Sequence, residues 1–544
     1  MTFVLLGLLS FVSINIAEAA PPSQAAARRL LAQALRSSGM AQAKKVRDMS
    51  LEQTLKEMLQ RNPTLAREKL TIQKSNADLL SARGAFAFDI QLDLRLNGSN
   101  LPADSIVDPQ LLTFVEGDLS LQSFSVQGTI LLTKRFEIGT LFTVQFTNFW
   151  SMQDSINFSF AGGNQGNSTI SLQRVTGGLT LTVSQPLLKG AWLPFNLSPI
   201  YQAVAQVKVT KSQVAVSASK QVLDTVQAYW DLVYAKKNVS IQNAALKLAN
   251  KQLTQTLALI QAGKMASLEQ YQVKQVIAAR KGDLLLAKEQ ELAAETKLRI
   301  LLNWDPGMVI QPQEGNENIP NLPAFRDLLR SIDSNHPQIR IAKQQKVIAK
   351  WRVVSAKNQV LPQLDLNGSF TFAGSGRTFP PRNGQPDPNA QSPLGRTYET
   401  LFDPRFNRFF VGITLKIPID NRAARGRLNA SNVELQRSQM QLMLLKRQYM
   451  LQAAQLFTQA QRNKKRLEIT KDSLLWAQKK LEAEANKLAV GQSTLFQVLQ
   501  FQQDLAKAKL ARLRAYVDLH KTLASLHHTS GTILEKYNVV SFKP

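Results

Sequence analysis

The chain contains no cysteine, which excludes disulfides, thiolate-bound metals, thiol chemistry and a lipidated cysteine together. Histidine is nearly as scarce, with His336, His520 and the adjacent pair His527 and His528 making up all four. Adjacent residues point to different helix faces and no acidic partner is spaced near the pair, so these histidines do not form a metal-ligand pattern. Phosphate loops, nucleophile elbows and zinc signatures are also missing. Asp93 and Asp365 lie within alternating segments, as polar wall residues do, and not as a catalytic pair. The expectation is a protein without catalytic site, cofactor or resident metal.

Long apolar runs are missing too. After the first twenty residues no ~18 uncharged apolar residues follow one another, so any membrane crossing has to use strands. Acidic residues are under-represented, 39 against 66 Lys+Arg, for a net charge of +27. The basic excess is spread along helical stretches among Gln, Ala and Glu, with only short clusters such as Arg462–Arg466 and no row of stacking aromatics. That distribution fits solvated helix faces and argues against nucleic acid as a partner.

What is present begins with an apolar run from Phe3 to Val12 and a small-x-small Ala17-Glu18-Ala19, the pattern of a signal peptide over residues 1–19, followed by an N-terminal segment 20–49. Hydrophobic residues at 44% and charged residues at 19% supply a packed core. The rest of the chain repeats itself. Leu51–Leu65 aligns without a gap on Phe325–Ile339, Pro337 lying 274 positions after Pro63, and the register holds through Ser81-Ala82-Arg83 against Ser355-Ala356-Lys357. Pro63 and Pro337 each end one short helix and start another, because proline lacks the N–H and suits a first helical turn.

A second correspondence lies in the long helices. Leu232, Val239, Leu246, Leu253 and Ile260 are spaced seven apart, and so are Ala460, Leu467, Leu474, Leu481 and Leu488. Such spacing predicts coiled-coil seams. Each helix runs into a glycine, Gly263 or Gly491, and resumes as a returning helix, which predicts two helical hairpins with glycine tips. Between the helical parts the period is two: Phe124, Val126, Ile130 and Leu132; Phe142, Val144 and Phe146; Leu179, Leu181 and Val183; Leu364, Leu366, Phe370 and Phe372; and Phe409, Val411, Ile413 and Leu415 alternate with hydroxyl, amide or other polar residues. A lipid-facing, water-lined barrel wall needs that pattern, and a soluble sandwich shows it too. Gly374–Arg408 and Gly162–Asn167 are expected to be long exposed loops.

The expected organisation is a first repeat over 50–304 (helices 50–86, strands 88–186, hairpin 200–303), a linker 305–322, a second repeat over 323–534 (helices 323–359, strands 361–418, hairpin 422–532) and a tail 535–544. Residues 98–175 carry additional alternating segments, which leaves the strand number of the first repeat open.

This duplicated order resembles the TolC-type outer-membrane efflux family. The residues that carry the resemblance are Asn62-Pro63-Thr64-Leu65 and His336-Pro337-Gln338-Ile339, Leu361–Leu366 leading into a strand, Ser184–Leu188 and Lys416–Ile419 leaving one, and the two glycine tips. The resemblance implies an α+β membrane protein, a homotrimer whose protomers share a β-barrel in the outer membrane of a Gram-negative cell and a coiled-coil α-barrel across the periplasm. It implies a passive exit duct for efflux or type I secretion, whose partners are outer-membrane lipid, a periplasmic adaptor (membrane fusion protein) and an inner-membrane RND or ABC transporter. Adaptor docking is then expected at Gly263, Lys264, Ser267 and Leu268 and at Gly491, Ser493, Thr494 and Leu495. Glu269, six residues past the first tip, is the candidate for an acidic pore ring, although the matching Gln497 is neutral; a lumen carrying much of the positive charge would instead favour anionic cargo. The competing reading is a periplasmic coiled-coil scaffold or adaptor.

Overall fold

The computed structural model describes residues 45–102, 120–154, 171–313, 321–378 and 391–539. The expected signal peptide, most of the segment 20–49, the Gly162–Asn167 loop, part of the Gly374–Arg408 connection and the last residues of the tail lie outside the described residues.

Each repeat opens with a pair of helices. In the first, α1 (Leu51–Arg61) starts at a reciprocal cap in which the Ser50 hydroxyl accepts from Gln53 N and the Gln53 side chain accepts from Ser50 N. Asn62 closes α1 and caps α2 (Pro63–Gly84), its Oδ1 accepting from Thr64 N at 2.9 Å. Its amide also donates to Leu301 O at 3.1 Å, which ties the junction to the far end of the first hairpin. In the second repeat α6 (Phe325–Asn335) meets α7 (Pro337–Gln359) at His336, whose Nδ1 takes the place of the asparagine oxygen and accepts from Gln338 N at 3.2 Å. Proline at the first helical position makes both junctions alike.

Six strands form one antiparallel sheet: β2 (Phe88–Pro102), β3 (Ser120–Arg135), β4 (Leu141–Asp154), β5 (Ser171–Pro186), β7 (Gln363–Arg377) and β8 (Asn407–Lys416), paired in that order. The first repeat supplies four of them and the second two, so the additional alternation in 98–175 is one further hairpin. A short parallel pair, β1 (Lys45–Met49) with β6 (Met308–Pro312), sits at the waist. Its strands come from the segments expected as N-terminal arm and linker; neither has a period-two signal, because two five-residue strands are held by the core beneath them. The Tyr229 hydroxyl donates to Gln313 O (3.0 Å) beside this pair, and burial pushes its pKa up to about 12.

The long helices are α4 (Ser198–Gln261) and α5 (Glu269–Leu302), which form the first hairpin, and α9 (Arg422–Ala489) and α10 (Leu495–Thr529), which form the second. Short α3 (Leu193–Asn196) and α11 (Ile533–Lys536) mark where the chain enters the first hairpin and leaves the second. The helices pack in the order α5, α4, α10, α9, with α2 laid on α4 and α7 laid on both α4 and α9. The main core lies at the waist, where Met58, Leu65, Leu232, Leu298, Leu302 and Ile310 are buried together.

One expectation needs refinement and one correction. On α4 the row Val239, Leu246, Leu253 and Ile260 is half-buried, Leu246 and Leu253 packing on the cluster of Ala249, Val273 and Leu499, and Asn238, Gln242, Ala249, Gln252 and Thr256 are buried beside it. A helix with a neighbour on each side divides its contacts between two seams, and small or amide residues occupy the line between them. On α9 a single seam suffices, and Leu467, Leu474, Leu481 and Leu488 are buried or half-buried on an otherwise exposed helix. The correction is to the Gly374–Arg408 connection, which contains a helix, α8 (Pro393–Leu401), packed against β5 and β7. Three glycines make its seat. A Cβ on Gly376 would lie 1.9 Å from Pro393 O, one on Gly374 2.1 Å from Thr397 O, and one on Gly177 3.1 Å from Thr397 Cγ2. Above the start of β8 the edge of β7 has no strand beside it, and there Thr400 Oγ1 accepts from Ser375 N at 3.1 Å. Helix α8 therefore covers a strand edge that would otherwise be bare.

Gly376→Ala is expected to destabilise the folded protein by about 1–3 kcal/mol through overpacking. Gly98→Ala, whose nearest neighbour would be Phe124 Cδ2 at 4.0 Å, is the neutral control; thermal melting in detergent compares them.

Candidate functional site

The register of the sheet puts every apolar alternation on the same face. One row of partners crosses all six strands, Ile90 to Leu132 to Val144 to Leu181 to Phe370 to Phe409. The opposite face has Asp89, Thr133, Thr143, Thr182 and Ser369 in one row and Asn97, Ser125 and Ser151 in another. On that face Thr180 and Thr371 hydroxyls meet at 3.1 Å, and Ser184 Oγ donates to Asn367 Oδ1 at 2.8 Å. Asp93 accepts from Arg95 and Asp365 from Gln363, so both aspartates are wall residues on the polar side. Strands of 10–16 residues reach or exceed the ~10 needed to cross a bilayer at a tilt. Among the described residues no helix is long and apolar enough to do so.

Asn148 is the polar member of the apolar row on β4, between Phe146 and Trp150. It is covered by α8, its amide donating to the Tyr398 hydroxyl at 2.6 Å while the Tyr398 ring stacks on Phe146. Thr397 and Leu401 on the same helix are fully buried. In the sequence Gly374 and Gly376 read as the start of an exposed loop; paired with the strand of Gly177, they give clearance for a helix.

The sheet has two unpaired edges, β2 and β8, and both carry exposed apolar side chains such as Leu92 (74% exposed) and Phe409 (75%). The helical layer has two unpartnered flanks as well. On α5 the exposed residues Leu285, Leu292 and Ile300 recur at seven and eight, and on α9 Val433, Met440, Leu444 and Leu451 recur at seven, four and seven. Sevens and fours place these residues on one stripe, the spacing of a helix that expects another.

Both glycine tips are left-handed caps. Gly263 (φ +70°) and Gly491 (φ +79°) each sit where the next residue's N–H reaches back five positions, Lys264 N to Leu259 O and Gln492 N to Lys487 O, both 2.9 Å. Open space surrounds both glycines. Lys264, Ser267 and Leu268 are exposed beyond the first tip. At the second, Thr494 caps α10 and accepts from Gln497 N, while Ser493 Oγ donates to Glu484 Oε1 at 2.5 Å. Leu495 was expected among the docking residues and is instead buried with Ala249, Val273, Ile277 and Leu499, where the two hairpins hold together. Its neighbour Phe496 is exposed, as are Leu268, Tyr271 and Val490. A periodic pattern gives no sign of which of two adjacent apolar residues after a cap turns inward; that depends on how the second hairpin is rotated against the first. Glu269 begins α5 and is half-buried, and Gln497 is exposed.

The fold is similar to that of solved outer-membrane channels. CusC is similar with a TM-score of 0.59 and 14% identity over 91% of this chain and 95% of that one. VceC of Vibrio cholerae is similar at 0.58 and 16% over 88% and 96%, and MtrE of Neisseria gonorrhoeae, in its open state, at 0.56 and 15% over 89% of each. No curated protein matches the sequence. Residues 328–532, from within α6 to just beyond α10, match the family model of the outer membrane efflux protein.

The waist, partway along the long helices, carries all four histidines. Burial holds His336 and His520 down to about 4, with His528 nearby adding to the effect at His336. His527 and His528 are lowered as well, chiefly by burial. A histidine whose folded-state value lies below its ordinary 6.5 stabilises the fold above pH 6.5 and loses that contribution as pH falls toward 4. Acidification from pH 7 to 4.5 is therefore expected to destabilise the waist by a few kcal/mol. His336→Asn, which restores the residue found at the same junction of the first repeat, is expected to keep the cap and reduce the slope; urea titrations across this range measure both.

Proposed function

We propose that this chain is one protomer of a homotrimeric exit duct in the outer membrane of a Gram-negative cell, its helical layer extending into the periplasm. The observation that carries this is the pair of open edges on a sheet whose two faces are so different. A lipid-facing sheet has to close, because bare backbone groups in hydrocarbon cost several kcal/mol each. Six strands from one chain make too small a circle for an open lumen, and three times six gives eighteen, within the range that leaves an aqueous channel. Three copies of the four-helix layer likewise join the α5 flank of one protomer to the α9 flank of the next, burying both apolar stripes.

The duct has no chemistry of its own. Its work is to offer a polar path and to close it when idle, and the tips are the end that a partner reaches. Gly263, Lys264, Ser267 and Leu268, together with Gly491, Ser493, Thr494 and Phe496, form the docking surface for a periplasmic adaptor acting with an inner-membrane transporter of the RND or ABC class. The exposed Leu268, Tyr271, Val490 and Phe496 supply apolar anchors for that contact. Glu269 and Gln497 stand just behind them as candidate constriction residues.

Outer-membrane fractions are expected to yield heat-resistant trimers; recovery of the chain as a soluble monomer would favour the scaffold reading and overturn this one. Replacing Leu285, Leu292 and Ile300 together by glutamine is expected to abolish trimers. Leu268→Glu with Phe496→Glu is expected to leave trimers intact while cross-linking to the adaptor falls.

A further inference from the structure

The polar face of the sheet carries one feature that an inert pore lining does not require. Arg174 on β5 and Arg377 on β7 are direct partners across an antiparallel ladder. Like charges in that relation destabilise a sheet. Both side chains are exposed, and alternation puts them on the face of Asn97, Ser125 and Ser151, which complete the row. Among the described residues neither arginine has an acidic partner, and no acidic side chain stands on this face between that row and the row of Asp93. The acids of the face, Asp89, Asp93 and Asp365, lie toward the other ends of their strands, where the chain enters or leaves the helices.

The two strands are also held unusually firmly at this point. Beyond the arginines the ladder continues, with Thr378 N donating to Gln173 O and Gln173 N to Thr378 Oγ1, both at 2.9 Å. On the opposite face α8 clamps the same residues: Thr397 Oγ1 donates to Val175 O at 3.0 Å, and Gly376 lies against Pro393. Among the described residues, the only helix lying on this sheet is thus fixed to its back directly behind the opposed arginines. Two guanidinium groups on a stiff support, a strand spacing apart, match an oxyanion with two or more charges, which would convert the repulsion into a bridge.

We propose that Arg174 and Arg377 form an oxyanion-binding site of the phosphate class on the lumenal wall near the outer mouth of the duct, repeated three times around the axis. The proposal rests on the duct reading for which face is lumenal and for the threefold repeat. The site is a way-station for anionic groups on leaving cargo, or for free phosphate, and favours anions at the exit whatever the tips select. Membrane lipid is the other source of the same chemistry, but the polar face is turned away from it.

The test is binding of inorganic pyrophosphate to the purified trimer in nanodiscs of neutral lipid, at constant ionic strength, by calorimetry. Arg174→Gln with Arg377→Gln is expected to weaken binding by about tenfold or more, since charge-assisted hydrogen bonds are lost at both ends. Arg174→Glu is expected to abolish binding and raise the melting temperature, because it makes an ion pair out of the opposed charges. Arg396→Gln, an exposed position on α8, is expected to change nothing. Equal affinity in the wild type and the double variant overturns the proposal, and so does competition by anionic lipid added to the nanodiscs, which would place the arginines against the membrane. Conductance by the double variant in planar bilayers keeps the two readings apart: if it conducts while binding is unchanged, the anion site falls and the duct stands, whereas a wild-type protein that never conducts sinks the duct.

Discussion

The hydrogen bonds that β2 and β8 do not make within one chain govern the rest of the architecture. In water a bare strand edge is a liability that charge or a bulge can manage; in hydrocarbon it has no substitute partner and must pair. The sheet is amphipathic across its whole width, so neither face can be turned to hide the edges. On the proposed duct reading, lateral pairing with another copy is what remains. Once the wall closes on itself, the helices hanging from it are brought flank to flank, and the apolar stripes of α5 and α9 acquire the neighbours that their spacing implies.

Helix α8 shows the same constraint acting within the chain. Strand β8 starts at Asn407 and leaves the outer part of β7 without a neighbour on that side. The chain answers with a helix that lies on the apolar face, offers Thr400 to the open edge and shields Asn148. Its closeness is possible only because three glycines present no side chain. The segment is thus part of the wall, and the stiffness it gives to β5 and β7 is what makes the opposed arginines a site and not a loose pair.

The waist connects these two regimes. Its core is built from both repeats, with α1 and the β1–β6 pair packed against the first hairpin, and Asn62 or His336 tying each Pro-started helix down. The two junctions are alike in geometry and differ in chemistry: an amide is indifferent to pH, whereas an imidazole that has to accept a hydrogen bond is not. The two junctions share a shape, and the one built on His336 is the acid-sensitive one.

Much of this was legible in the residues themselves. Period-two alternation fixed which strand residues share a face, because the pleat leaves no freedom in that assignment; Asn62-Pro63 and His336-Pro337 marked helix junctions; and Gly263 and Gly491 marked the tips, since only a left-handed cap uses glycine there. Heptad spacing placed rows on α4 and α9 that pack inward, and on α4, where two neighbours share the contacts, it gave no sign of the small and amide residues buried beside its row. Tertiary structure alone decided that four strands come from the first repeat, that a Pro- and Gly-rich stretch holds a helix against the wall, and that Leu495 turns inward while Phe496 turns out. Each of these depends on contacts between residues tens to hundreds of positions apart, whose energies no local pattern encodes. The partnership of Arg174 with Arg377 is of the same kind, because two single arginines in distant segments become a charged pair only when the register of β5 against β7 is set.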